Sequence, residues 1–240
     1  MRLALISDLH GNRHALEAVA ARIEETSPDA ILCLGDVVGY GADPGGCIAW
    51  TRERCRTIVR GNHDEQVGTV SEQERFNSNA WRALVWTAEH LSSEELDWLG
   101  ALPYTDRQEG LFLSHGSPIE PEAFHYIFYR HEADQALAFV AEGLLAVGHS
   151  HVQGWYVQGH PLETLRPGEG VPLGDGPALL NPGSVGQPRD GDPRAAWGLL
   201  DVEARVFTPM RTAYDIEGAR RAILDAGLPG ELGDRLRVGR

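Results

Sequence analysis

The sequence predicts an α/β protein built on a parallel sheet, and three observations carry that reading. Short apolar runs recur at 3–6, 31–34 and 57–59. Apolar residues at helical spacing fill the intervals between them. Strand, crossover helix and strand repeat at roughly 30 residues per unit, the length of a βαβ unit. The run Leu3-Ala4-Leu5-Ile6 is continuous, as in a strand covered on both faces. Leu16, Val19, Ala20 and Ile23 share a helix face, with Asn12 as its cap. Strand 31–34 ends in Gly35-Asp36. Residues 48–54 form a short helix, and strand 57–59 ends in Gly61-Asn62-His63-Asp64.

Residues 71–100 read as helical, with Trp81, Leu84, Val85 and Ala88 on one face. A second short helix opens at the capping box Ser92-Ser93-Glu94-Glu95. Strand 111–113 ends in Ser114-His115-Gly116, helix 133–141 follows, and strand 144–147 ends in Gly148-His149-Ser150-His151. Residues 158–177, rich in Gly and Pro, read as loops. Leu179-Leu180 leads into Asn181-Pro182-Gly183-Ser184, segments 196–202 and 205–210 read as an antiparallel pair, and 216–226 as a last helix. The tail after Pro229 is expected to be loose. The expected organisation is one domain, 1–240, with a cap drawn from about 65–131.

Composition narrows the function. Of 240 residues, 42% are hydrophobic, enough for a sizeable core. With 21 basic and 35 acidic residues the net charge is −14, which disfavours nucleic acids and anionic membranes as partners. All the basic residues are Arg, so Schiff-base chemistry and a Lys-bearing phosphate loop are excluded. Cys33, Cys47 and Cys55 show no metal-type spacing, and no apolar run approaches a membrane span. The expectation is a soluble cytoplasmic protein, with homo-oligomer formation left open.

Five segments place potential metal ligands directly after apolar runs: Asp8-Leu9-His10, Gly35-Asp36, Gly61-Asn62-His63-Asp64, Ser114-His115-Gly116 and Gly148-His149-Ser150-His151. In open α/β sheets ligands collect at the carboxyl ends of strands. On an extended segment residues i and i+2 project to the same side, so Asp8 with His10, and His149 with His151, are expected to reach one ion or straddle two. The donors are nitrogen and oxygen, which suit Mn²⁺, Fe, Zn²⁺ or Co²⁺ better than Ca²⁺. Two ions about 3.5–4 Å apart form a clamp for in-line displacement at phosphorus.

In this ordered set the chain resembles the calcineurin-like metallophosphoesterase superfamily, and most closely its small bacterial phosphodiesterase and diadenosine-polyphosphatase-like branch. The stretch 181–189, Asn-Pro-Gly-Ser-Val-Gly-Gln-Pro-Arg, extends the likeness over most of the chain. The resemblance implies a four-layer α/β/β/α sandwich of two mixed sheets flanked by helices. It implies that Asp8, His10, Asp36 and His151 hold a first divalent ion, and that Asp36, Asn62, His115 and His149 hold a second, with Asp36 as the bridge. It further implies attack by a hydroxide held between the ions, with His63 protonating the leaving group. Protein phosphatases of the superfamily have a carboxylate that orients this histidine; here Gly39 stands in its place, leaving Asp64 or a backbone carbonyl for the task.

Asn12, Arg189 and Tyr126 are candidate substrate contacts, Arg13 a weaker one. The aromatic segment Phe124-His125-Tyr126-Ile127-Phe128-Tyr129 suits either a stacked nucleobase or a packed cap. The expected function is hydrolysis of small phosphate esters or phosphodiesters, nucleotides among them. The rivals are a non-catalytic metal-binding scaffold on the same fold and a nuclease.

Overall fold

In the computed structural model the described residues are 1–69, 77–140, 143–159 and 166–240. The N-terminal apolar run forms β1 (Arg2–Ile6). It leads through α1 (Arg13–Thr26) to β2 (Ala30–Cys33), then through α2 (Pro44–Arg54) to β3 (Thr57–Ile58). Parallel pairing of β1 with β2 and of β2 with β3 confirms the βαβ rhythm. Asn12 caps α1 by accepting the amide of Ala15 at 3.2 Å. The segment Gly61-Asn62-His63-Asp64, read from the sequence only as the end of strand 57–59, opens α3 (Asn62–Thr69). Its polar sequence carries no apolar periodicity to announce a helix.

Then come α4 (Ser78–His90) and α5 (Ser93–Ala101), with the capping box between Ser92 and Glu95 in place. Residues 71–76 of the expected helical stretch, Ala141 of the next helix, and 160–165 of the expected loops, His160 included, lie outside the described residues. The chain continues through β4 (Thr105–Gln108), β5 (Leu111–Ser114), α6 (Arg130–Phe139), β6 (Leu144–Ala146), β7 (Gly154–Val157), β8 (Val171–Pro172) and β9 (Ala178–Asn181). It closes with β10 (Ala195–Asp201), β11 (Val206–Thr212), α7 (Ile216–Asp225) and α8 (Gly230–Asp234).

The strands make two mixed sheets, ordered β3-β2-β1-β10-β11-β8 and β4-β5-β6-β9-β7. Leu3, Leu5, Leu32, Leu200 and Phe207 of the first face Leu111, Leu113, Leu144 and Leu180 of the second in one buried cluster. Burying each such side chain stabilises the fold by about 1.5–3 kcal/mol. The outer face of the first sheet packs on α1, α2, α4 and α5. That of the second packs on α6. The result is the four-layer α/β/β/α sandwich, in which β1, β2, β5 and β6 end toward one edge where their following loops meet.

The tail is not loose. It folds into α8 and a 3-10 turn (Arg235–Arg237), and Leu232 and Leu236 are buried with Tyr40, Ala80, Ala83 and Ile223. Leu236→Ala should therefore lower stability in urea denaturation by about 2–4 kcal/mol, as at other core leucines. A change below about 0.5 kcal/mol would mean that the tail contributes only surface.

Candidate metal centre

The strand-end loops converge through tight backbone geometry. Asp8 (φ 54°), His10 (49°), Asp36 (54°), His149 (65°) and His151 (59°) all occupy the left-handed region. Asp8 and His10 thus meet in one cluster, while His151 joins that cluster and His149 the neighbouring one, and neither pair does so by the extended-strand geometry expected from its spacing. Left-handed non-glycine residues cost energy and persist only where surrounding contacts hold them. Those contacts are visible: the amides of Asp8, His10 and Gly11 donate to the carbonyls of Gly35, Asp36 and Val37. Asp64 accepts the amides of Asp36 (2.8 Å), Val37 (2.8 Å), Val38 (3.2 Å) and Gly61 (3.0 Å).

Within this frame Asp8, His10, Asp36 and His151 form one buried group of potential ligand atoms, and Asp36, His115 and His149 a second. Asp36 belongs to both. Its carboxylate lies 3.6 Å from Nε2 of His10 and 3.3 Å from Nε2 of His115. Asp8 Oδ1 lies 3.2 Å from Nε2 of His151. Asn62 stands at the start of α3, and its Oδ1 is a buried acceptor with no hydrogen-bond partner among the described residues. His63, next to it, donates its amide to Asp36 Oδ1 at 2.8 Å.

Hydrogen bonds fix which ring nitrogen is available. Nδ1 of His10, His115 and His151 donates to the carbonyls of Val38 (3.0 Å), Leu34 (2.6 Å) and Gln187 (2.6 Å). A carbonyl can only accept, so Nδ1 carries the proton and a neutral ring presents its lone pair at Nε2. The Nε2 atoms of His10 and His151 nevertheless sit 3.0 Å apart. Two lone pairs at that distance repel unless a proton or a cation lies between them. Burial pushes both rings below the ordinary histidine range, which resists the proton. The donor set fits a divalent cation.

The remaining charges agree with that fit. Burial opposes ionisation of Asp8 and Asp36, yet the facing imidazoles hold both carboxyls below their usual range. Burial also opposes charging His115, but Asp36 and Asp8 push it up to about 9. Burial lowers His149 to about 3 and His63 to about 4, so both rings are neutral at pH 7.

The two oxygens of Asp64 accept four backbone amides. Burial, then the neighbouring Asp36, raises this carboxyl to about 7. Gly39 is explained by space, because a Cβ there would lie 2.4 Å from Nδ1 of His63. Tyr40, which drew no attention in the sequence, has its ring 4.6 Å from both the His10 and His63 rings. Asn12 has both ends of its amide engaged, by the α1 cap and by Gly186 O at 2.8 Å. Arg13 pairs with Glu17 and Asp43. Tyr126 stacks on His149 at 3.8 Å and 15°. Arg189 donates to Tyr40 Oη at 3.2 Å.

A two-sheet sandwich with carboxylates and imidazoles gathered at its strand ends defines a metal-binding α/β protein. The chain belongs to the calcineurin-like phosphoesterase superfamily, whose domain model matches residues 1–205. It is 35% identical to a metallophosphoesterase from Sphaerobacter thermophilus, with a TM-score of 0.89 over 100% of this chain and 99% of that one. It is 36% identical to an uncharacterized protein of Methanocaldococcus jannaschii over 99% of this chain and 98% of the relative. A hypothetical protein from Pyrococcus horikoshii shares the fold, with 20% identity and a TM-score of 0.82 over 100% of this chain and 98% of that one.

Asp64→Ala should weaken Mn²⁺ binding about 10–100-fold in calorimetry, since it frees the loop that presents Asp36. The same variant should lose about 2–4 kcal/mol of stability, because four amides lose a buried acceptor. Mn²⁺ affinity equal to wild type would show that Asp64 is a turn residue alone.

Proposed function

We propose that this protein is a metal-dependent hydrolase of small phosphate esters or phosphodiesters. The observation that carries the reading is the 3.0 Å approach of two Nε2 atoms whose tautomers are fixed by backbone carbonyls. Asp8, His10, Asp36 and His151 would hold one divalent ion, and Asp36, Asn62, His115 and His149 another, with manganese, iron, zinc and cobalt all suited to the donors. When bound, such ions neutralise phosphate oxygens and acidify a water for in-line attack.

The chain's own residues supply the rest. His63 is 3% exposed, and its ring lies 4.8 Å from the His10 ring. Burial keeps it neutral, and an anionic phosphate brought beside it raises its proton affinity. It then holds the proton that the departing oxygen needs, the task of a general acid. Asp36, through the His63 amide, fixes where that ring begins.

Tyr126, 45% exposed, stacks on His149, and Phe128 stacks on Tyr126 at 5.1 Å. These rings offer a face to the organic part of a substrate. This segment belongs to the cap contributed by about 65–131. Arg189, whose guanidinium reaches Tyr40 Oη, is a second substrate contact. Asn12 caps α1 and donates to Gly186 O, and its second amide hydrogen is the group it would offer a substrate. The net charge of −14 favours small diffusible substrates over nucleic acids. Among the described residues no helix is long and apolar enough to cross a membrane. A cytoplasmic enzyme fits this picture.

The test is hydrolysis of bis-p-nitrophenyl phosphate and p-nitrophenyl phosphate with Mn²⁺. Wild type should turn over at least one, EDTA should abolish turnover, and Mn²⁺ should restore it. His63→Ala should lower kcat by about 10²–10⁴, and Asp36→Asn should remove activity together with metal. Undiminished turnover in both variants would rule the mechanism out. A chain that binds Mn²⁺ but hydrolyses neither ester would be a scaffold.

A further inference from the structure

The His63 ring is one corner of a triangle of three buried rings. The centroids of His10 and His63 lie 4.8 Å apart at 76°, those of His10 and Tyr40 4.6 Å apart at 63°, and those of Tyr40 and His63 4.6 Å apart at 52°. Tilted and edge-on rings at such distances attract one another and resist rotation against each other.

Both rings beside His63 are fixed from outside the triangle. Nδ1 of His10 donates to the carbonyl of Val38 at 3.0 Å. Tyr40 is buried in one cluster with Ala80 and Ala83 of α4, Ala219 and Ile223 of α7, and Leu236 of the tail. Its Oη accepts from Nη2 of Arg189 at 3.2 Å, and that guanidinium lies 5.7 Å from the ring centroid. The Arg189 amide in turn donates to the carbonyl of His151 at 3.1 Å, which ties the anchor of Tyr40 to the metal-ligand cluster.

The backbone is shaped to admit this contact. Gly39 has φ 94°, and a Cβ there would run into Nδ1 of His63. Tyr40 follows at φ 57°, a left-handed pose that a non-glycine residue keeps only where its surroundings hold it. The amide of Gly41 donates to the carbonyl of His10 at 2.8 Å and closes the loop over the same histidine.

We propose that Tyr40 is a positioning residue for His63. With His10 it confines the imidazole to one pose, so that the proton donor meets the departing oxygen already aligned. A general acid must lie within hydrogen-bond reach of the atom it protonates, and the pose of its ring decides that reach. Tyr40 acts through His63 and not on the substrate. Its effect on turnover rests on the hydrolytic reading; its hold on the ring does not.

The test has one readout without turnover and one with it. Histidine-selective ¹⁵N spectra of the metal-free protein report ring order, with His63 assigned by its loss in His63→Ala. Wild type should give one set of sharp His63 signals. Tyr40→Leu should broaden or average them while those of His115 and His149, outside the triangle, stay in place. Tyr40→Phe keeps the ring and should keep the wild-type signals. If Tyr40→Leu does not fold, Tyr40→Met supplies an unbranched side chain without a ring. Averaged His63 signals in wild type, or unchanged ones in the ringless variant, would overturn the proposal.

At saturating Mn²⁺ the ringless variant should lower kcat for bis-p-nitrophenyl phosphate about 10–100-fold, the scale of a misplaced catalytic group, with KM nearly unchanged. Tyr40→Phe should recover most of that loss. In a His63→Ala background the same change should cost nothing further, because its partner is already gone. An equal loss in that background would show that Tyr40 does not work through His63. Wild type that hydrolyses neither ester would remove the hydrolytic reading and leave the spectra to decide the role of Tyr40.

Discussion

The site depends on keeping the Asp36 carboxylate ionised inside the protein. An isolated buried carboxylate is costly, and the fold offsets that cost with directed partners. The His63 amide donates to one oxygen, while Nε2 of His10 and of His115 face the other at 3.6 and 3.3 Å. Asp64 gathers the amides that follow β2, and the carbonyls of Leu34 and Val38 aim the imidazoles back at the carboxylate. One short segment, 34–38, therefore supplies the carboxylate common to both groups and sets the tautomers of two imidazoles.

This precision is stored as backbone strain. Asp8, His10, Asp36, His149 and His151 sit at positive φ, a conformation that costs of order 1–3 kcal/mol at a non-glycine residue. The sandwich interior can sustain it, because Leu3, Leu5, Leu111, Leu113 and Leu144 are buried directly beneath these loops. The apolar core and the polar rim are thus one device. The strands provide rigid ends, and the loops after them carry ligands in poses that free loops would not hold.

Much of this was legible in the residues. The apolar runs gave β1, β2, β5 and β6 within a residue or two, and the motifs after them named the groups that the fold gathers. What was missed has physical causes. β4 is a polar strand, Thr-Asp-Arg-Gln, with no alternation to betray it, and α3 is polar from Asn62 to Gln66. The tail has only Leu232, Leu236 and Val238 to signal burial, too few for a periodic pattern. The i, i+2 argument paired the right residues for the wrong reason, since left-handed φ rather than an extended backbone sets their directions. Tyr40 could not be found from spacing, because its place beside His63 is made by tertiary packing alone.

The most direct measurement is anomalous diffraction from a crystal soaked in Mn²⁺. The account predicts two manganese peaks, one ligated by Asp8, His10, Asp36 and His151, the other by Asp36, Asn62, His115 and His149. No peak in either cluster, or peaks whose ligands leave out Asp36, would contradict it.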